Sequence, residues 1–381
     1  MAAPGPISLD EARAAVLAAA RPLPAVEVPL GMALGLYLAE DLVAEAPLQR
    51  FDNSAMDGYA VRTADLEAAA PGAPVALTVT AESRAGHPSD AAVGPGEAIA
   101  ISTGAMLPQG ADAVVRIEDT SGADGRVAIG VSPAPGANVR RAGEDVAAGA
   151  TVLRRGDPLG PAALGLLAAL GVETVACHRR PRVAVVTSGD ELVPPGEPLP
   201  PGGIRDSNST TLAALLARAG AELQGSGGAG DSLEATVAAL EPALAADAVV
   251  VCGGVSVGEH DHVKEALAQL GVEQVFWRVA LRPGGPAFFG RRGDTLVFGL
   301  PGNPVSVYVT FTLLAAPGLA ALAGGSPRRR STTATLAAPY EKGTDRTEAV
   351  RCGLELTDAG WVASPRPRQG SHVLTSLLDA A

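Results

Sequence analysis

Residues 253–267, GGVSVGEHDHVKEAL, gather three kinds of group that could act on a phosphate. Glycines without side chains let a backbone come close to a ligand, and a helix start offers unpaired N–H groups with a partial positive charge. Glu259, Asp261 and Lys264 add two carboxylates and an amine at the same place. An anion cradle beside carboxylates is what binding a phosphate together with a divalent cation requires. His260 and His262 flank Asp261, but no third ligand follows at zinc spacing, so both read as polar loop residues.

The elements that must hold this loop are legible around it. Residues 248–251, AVVV, form a wholly apolar run, as a strand buried on both faces does, and a helical pattern follows the loop. From residue 180 onward, strand-like and helix-like segments alternate, which predicts a three-layer α/β domain with a mainly parallel sheet. Ligands in such sheets bind at the carboxyl ends of the strands. Several strand ends carry small or polar residues: Thr187 to Glu191, Gly253 to Ser256, and Leu300 to Pro304. Arg205, Asp206, Ser207 and Asn208 precede a helix and join that rim. One such loop alone is ordinary turn and cap chemistry; several on one edge favour a ligand site. The spacing puts Asp190 and Glu191 at a helix start, where acids either favour the dipole or serve a metal or a proton. Glu191 with Asp261 would suit Mg²⁺, which is commonly held by one or two carboxylates plus phosphate oxygens. Arg278 and Arg282, four apart on an extended segment, are expected to share one face, either solvated or turned to an oxyanion.

Elsewhere, residues 7–20 read as a helix with a capping box from Ser8 and Glu11. Gly/Pro-punctuated apolar runs mark a small β domain at 47–146, inserted in an elongated α/β segment formed by 1–46 and 147–178, with a helix over 159–172. The α/β domain then covers 179–326, and a short C-terminal β domain covers 327–381. Within the inserted domain, Asp52, Asn53, Ser54 and Asp57 crowd one turn-rich stretch, read on composition as a hairpin. Arg140, Arg141, Glu144 and Asp145 form either a charged surface loop or part of a site.

Composition bounds the function. A net charge of −12 over 381 residues argues against general nucleic-acid or membrane-surface binding, so an anionic ligand needs a local cluster of cations. Lysine occurs only as Lys264 and Lys342. Cys177, Cys252 and Cys352 are far apart and odd in number, which suits a reducing cytosol rather than a disulfide framework. No signal peptide is visible, and the apolar run 162–172 is too short to span a bilayer.

Taken in order, FDNSAMDGYAVR, STGAMLPQGADAVV, NVRRAGEDV, TSGDEL, GGVSVGEHDHVK, LRPGGP and LPGNPVS resemble the molybdopterin molybdenumtransferase family, the bacterial MoeA-type enzymes related to the E domain of gephyrin. The resemblance runs along nearly the whole chain. It implies a four-domain subunit with an α/β domain of the molybdopterin-binding type, and a homodimer whose cleft lies between that domain and the partner's β domain. It further implies a cytoplasmic enzyme that uses Mg²⁺, with molybdate and adenylylated molybdopterin as substrates and AMP as a product. Molybdenum would be held by the pterin's dithiolene sulfurs. The implied catalytic residues are Asp57, Thr103, Asp145, Glu191 and Asp261, with Glu191 and Asp261 on Mg²⁺. The implied ligand contacts are Ser207, Gly253, Gly254, Ser256, Arg278, Arg282, Pro301 and Pro304, with Arg351 and Ser371 linked to the oxyanion. Transient contact with the molybdopterin adenylyltransferase and with molybdoenzyme-loading factors follows from the same resemblance.

The chain also departs from the family pattern. Relatives often carry lysines where it has Arg278, Arg282 and Gly285, and an Asp-Asp pair where it has Gly230 and Asp231. It stops soon after Ser371, where relatives continue through further strands, so the last domain reads as shortened. Two other functions compete: molybdopterin adenylylation by a related α/β domain, and a non-catalytic scaffold like gephyrin. The β-domain motifs argue against the first, and the acidic set at Asp57, Glu191 and Asp261 against the second.

Overall fold

The computed structural model describes residues 5–122, 124–254, 262–326, 331–343, 345–378 and 380. The chain folds as two compact units, one formed by Met1–Glu40, Arg155–Leu164 and Thr174–Ala381, the other by Asp41–Arg154 and Gly165–Glu173.

The first unit is built on a six-stranded sheet. Its spatial order is Glu222–Ala229, Arg182–Ser188, Ala248–Cys252, Thr295–Leu300, Phe288–Arg292 and Glu273–Trp277. The first four strands are parallel and the last two pair antiparallel with their neighbours, so the mainly parallel sheet is as expected. Ala248–Cys252 lies in the middle and every residue in it is buried, which is why its sequence shows no polar alternation. Glu222–Ala229, ELQGSGGA, forms the exposed edge, and its glycines and polar residues suit that position.

Alternate residues of the central strands feed two cores. Val250, Phe289 and Phe298 face one layer with Leu212, Leu216 and Leu319; Val249, Val251 and Val297 face the other with Leu240, Val263 and Leu267. Phe289 stacks between Phe276 and Phe298, with ring centroids 5.5 and 5.1 Å away. Burying such rings contributes roughly 1.5–3 kcal/mol each.

The N-terminal helix, Leu9–Ala19, begins with the expected capping box, in which Ser8 and Glu11 satisfy each other's backbone N–H. It packs Ala12 and Val16 into the first core. Gly318 permits this approach, since a Cβ there would lie 2.8 Å from Val16 Cγ1. Strand Ala25–Pro29 then pairs with Thr174–His178, where the chain returns from the second unit.

The longest apolar helical stretch is not 162–172, where the observed helix is Pro161–Ala169, but Pro304–Leu322. This stretch is long and apolar enough to cross a membrane, yet 67% of it is buried in the α/β core. It contains a π-helical turn at Phe311–Ala315, just before Pro317. A proline has no N–H for the carbonyl four residues back, and a widened turn accommodates that.

C-terminal strands Thr335–Leu336, Gly360–Pro365 and Cys352–Thr357 form a three-stranded sheet. Thr347–Glu348 runs beside Leu281–Arg282 and joins this sheet region to the α/β domain.

In the second unit a six-stranded sheet runs in the order Ala113–Arg116, Gly58–Val61, Glu97–Ile101, Val75–Ser83, Arg126–Ile129 and Thr120–Ser121. Four of these strands fall on the apolar runs picked out in the sequence: 75–83, 97–101, 113–116 and 126–129.

Candidate active site

Thr187 pairs across the sheet with Cys252, and Cys252 with Leu300. The chain therefore leaves the sheet at three neighbouring points, beyond Ser188, Cys252 and Leu300. Ser188 pairs with Ala229 on the outer side, which brings Gly230 and Asp231 to the same edge. On the far side Trp277 pairs with Phe288, and Phe288 with Gly299. That outer strand runs in the direction of the parallel set, so Trp277 ends at this edge too.

Gly253 and Gly254 adopt φ of +91° and +62°, the left-handed region that glycine enters at least cost. A Cβ on Gly253 would lie 2.7 Å from the Ser188 carbonyl oxygen, and one on Gly254 would lie 2.6 Å from Val263 Cγ2. Their lack of side chains is thus required by the protein's own neighbours. This demand is separate from the reading of both as backbone room for a ligand phosphate. Ser256 and Asp261, with Glu259 and His260, lie outside the described residues. Helix Val263–Gln269 follows, with His262 immediately before it.

The Pro301 to Pro304 turn is tied to this edge. The Gly253 N–H donates to the Leu300 carbonyl at 3.1 Å. Asn208 donates through Nδ2 to the Gly302 carbonyl at 2.7 Å, and Pro304 opens the next helix. Asn208 sits beside half-buried Ser207 in the first turn of helix Ser207–Arg218, which Asp206 caps by accepting from Ser209 N–H. Sequence reasoning placed Asn208 on the rim without a role. Its contact positions one strand-end loop against another, a long-range pairing that local sequence does not carry. Burial pushes the Cys252 thiol up to about 12, so it is no nucleophile.

The acidic turn departs from expectation. No helix begins at Asp190 and Glu191; a short strand, Leu192–Val193, follows, and the helix starts only at Ser207. The intervening prolines, Pro194, Pro195, Pro198, Pro200 and Pro201, remove the N–H groups a helix needs. Asp190 and Asp231 bond reciprocally: each backbone N–H donates to the other's carboxylate, at 3.4 and 3.3 Å. The sequence marked Asp231 only as the acidic member at a position where relatives carry an Asp-Asp pair, without a partner for it. The exposed Glu191 carboxylate folds back over Gly189, whose φ is +141°. Among the described residues, no ion pair engages Asp190, Glu191 or Asp231, and no group of three His, Cys, Asp or Glu side chains could hold a metal.

The arginines do not share a face. The strand stops at Trp277, and Arg278 has φ +75°, so 278–282 is not one extended segment. Arg278 stacks on Trp277, its Cζ 4.4 Å from the ring centroid, and Lys264 Nζ lies 3.5 Å from the same centroid. Arg282 instead pairs with Glu348 at 3.5 Å, and Glu348 also accepts from the Tyr340 hydroxyl at 3.0 Å. Burial, followed by the Glu348 hydrogen bond, raises the Tyr340 pKa. Gly285 carries no charge, but the Arg346 guanidinium comes within 3.5 Å of where its Cβ would be.

Arg351 is buried and donates to Ser376 Oγ and to the carbonyls of Ala349 and Gly370, each at 3.2 Å. The guanidinium therefore ties the C-terminal segments together. Ser371 is engaged through its carbonyl, which accepts from the Val305 N–H at 3.1 Å.

In the second unit, Asp57 and Thr103 meet: Asp57 Oδ1 accepts from Thr103 N–H at 2.7 Å and from its hydroxyl at 3.1 Å. Asp145 lies in a separate exposed loop, where its N–H donates to Gln49. Asp52 holds that loop: it accepts from Ala142 N–H at 2.9 Å and from Arg141 at 2.6 Å, and the Ala142 bond leads in lowering its pKa. Ser54 donates to the Met56 carbonyl within its own turn, and its role is local.

Three family models match the chain. The MoeA N-terminal region (domain I and II) covers residues 7–171, a probable molybdopterin binding domain covers 184–321, and the MoeA C-terminal region (domain IV) covers 333–380. Over 369 residues the chain is 42% identical to molybdopterin molybdenumtransferase 2 of Mycobacterium tuberculosis, covering 94% of this chain and 90% of that one. It is 38% identical to the molybdopterin molybdenumtransferase of Haemophilus influenzae, covering 98% and 93%. The crystal structure of the molybdopterin biosynthesis moeA protein from Pyrococcus horikoshii OT3 is similar with a TM-score of 0.85 at 30% identity, covering 99% of this chain and 94% of that one.

Proposed function

The chain belongs to the molybdopterin molybdenumtransferase family, and on that premise we propose that it transfers molybdenum from molybdate to adenylylated molybdopterin with release of AMP. It is a transferase of molybdenum cofactor biosynthesis. The observation that carries the finer reading is the convergence at one sheet edge of backbone turns, carboxylates and cations, inside the segment matched as a molybdopterin binding domain. A substrate with a phosphoanhydride and a pterin needs these three kinds of group together.

Each residue then has a task. The turns at Gly253 and at Pro301 to Pro304, with Ser207 and Ser256, bind the pterin and its phosphate. Lys264, Arg278 and Arg282 offset the anionic charge of nucleotide and molybdate. Glu191 and Asp261 would hold Mg²⁺. An oxygen-only set of one or two carboxylates fits that ion, and the exposed carboxylate over Gly189 supplies one member. Mg²⁺ when bound supplies charge neutralisation on the phosphate oxygens.

Asp57, held by Thr103, and Asp145 act from the β domain. In this reading they come from the partner subunit of a homodimer, across a shared cleft. The enzyme works in the cytoplasm and receives its labile adenylylated substrate by transient contact with the adenylyltransferase, then passes product to loading factors.

The deciding experiment is AMP release from adenylylated molybdopterin, with and without molybdate and Mg²⁺. Release that needs both, with molybdenum recovered on the pterin, is expected. Accumulation of adenylylated pterin from molybdopterin and ATP would instead assign the preceding step.

A further inference from the structure

We propose that Trp277 is a positioning residue: its indole ring holds Lys264 and Arg278 as a two-cation subsite for a tetrahedral oxyanion at the carboxyl edge of the sheet. The inference rests on the reading of that edge as the substrate site. The oxyanion is either the nucleotide phosphate or molybdate, which share shape and charge.

Three observations converge. The first is placement. Trp277 ends its strand two pairing steps from Gly299, through Phe288, and Gly299 precedes the Leu300–Pro301 strand end. Lys264 arrives from elsewhere, on the helix that follows strand Ala248–Cys252 and its loop. Two segments that leave the sheet at different points thus deliver cations to one ring.

The second is the ring itself. Lys264 Nζ and Arg278 Cζ stand 3.5 and 4.4 Å from its centroid. An aromatic face attracts a cation, so the indole draws both charges toward its ring. In a chain of net charge −12, Lys264 is one of two lysines.

The third is the backbone at Arg278. Its φ of +75° is seldom adopted outside glycine. Both of its peptide groups are pinned: its N–H donates to the Ala287 carbonyl at 2.9 Å, and its carbonyl accepts from Ile7 N–H at 3.2 Å. The surrounding structure holds this conformation, and the conformation turns Arg278 back onto Trp277 in place of continuing the strand. Backbone held in sparsely populated regions concentrates at ligand clamps.

The test uses the full-length protein and calorimetric titration of AMP and of molybdate, each at constant ionic strength. Trp277→Leu should bind one or both anions about tenfold more weakly, while Trp277→Phe, which keeps an aromatic face, stays within about threefold of the parent. The anion whose affinity falls identifies the source. A Trp361→Phe background leaves Trp277 as the only tryptophan, and its emission should shift saturably with that same anion. If Trp277→Leu fails to fold, Lys264→Gln takes its place with the same expected loss.

Undiminished binding of both anions by a folded Trp277→Leu or Lys264→Gln variant overturns the proposal. So does a Trp277→Phe variant as weak as Trp277→Leu, since the ring face would then be irrelevant. Molybdenum transfer by the parent protein is measured separately. Intact transfer with unchanged anion binding in the variants sinks this inference alone; lost anion binding without transfer by the parent sinks the broader reading and leaves the subsite standing.

Discussion

The two edges of the central sheet treat carboxylates in opposite ways. At the amino edge, Asp247 precedes its strand and receives a fork of two bonds from Arg179, at 2.6 and 2.7 Å, and a third from Arg182 N–H at 2.8 Å. Burial pushes its pKa up, but the Arg179 and Arg182 bonds outweigh that and leave it below the ordinary value. At the carboxyl edge, Asp190, Glu191 and Asp231 receive backbone bonds or fold back on glycine, and among the described residues no arginine closes on them. One residue type serves as a staple at one end and as available charge at the other. The partner decides which, and an uncommitted carboxylate is one that can take on a cation.

The contrast can be broken most directly at Glu191. Glu191→Gln should lower molybdenum transfer roughly 100-fold or more while leaving the melting temperature near that of the parent, read by AMP release and a thermal melt. A variant with normal transfer would remove the carboxyl edge from the chemistry. Asp247→Ala should do the reverse. Loss of the fork leaves Arg179 unmatched and costs about 2–3 kcal/mol in urea unfolding, with the rate per folded molecule unchanged.

A third measurement uses pH. The depressed Asp247 carboxyl stabilises the fold fully above its unfolded value of about 3.9, and that contribution is lost as pH falls through the lower folded value. Asp247→Asn should therefore flatten the stability profile below about pH 4 and lower the plateau above it. The smallest effect is expected in the second unit. Thr103→Val removes the hydroxyl bond to Asp57 but keeps the N–H bond, and transfer should drop about fivefold, in line with about 1 kcal/mol.

These assignments mark where sequence reasoning reaches and where it stops. The strand at Ala248–Cys252 was legible because a strand buried on both faces has no polar residue to hide. The capping box at Ser8 and Glu11 was legible because its two partners are three residues apart. Glu191 appeared at the right edge but on the wrong element, because acidic residues after a strand look like a helix start until the prolines behind them are weighed. Arg278 and Arg282 were grouped by spacing alone; only the backbone at Arg278 shows that they part. The pairing of Asp190 with Asp231, of Arg282 with Glu348, and of Asn208 with Gly302 spans tens of residues, and no local pattern encodes it.

The close packing of Val16 against Gly318 carries a consequence in time. Roughly 300 residues separate them, so a ribosome adding about 5–20 residues per second exposes the first helix some 15–60 s before its seat exists. An eleven-residue helix is marginal by itself in water. The second unit is synthesised entirely within that wait, from residues that also pair with one another locally. The second unit can thus fold on the ribosome, while the core layer that seats the first helix is completed only when synthesis is nearly done.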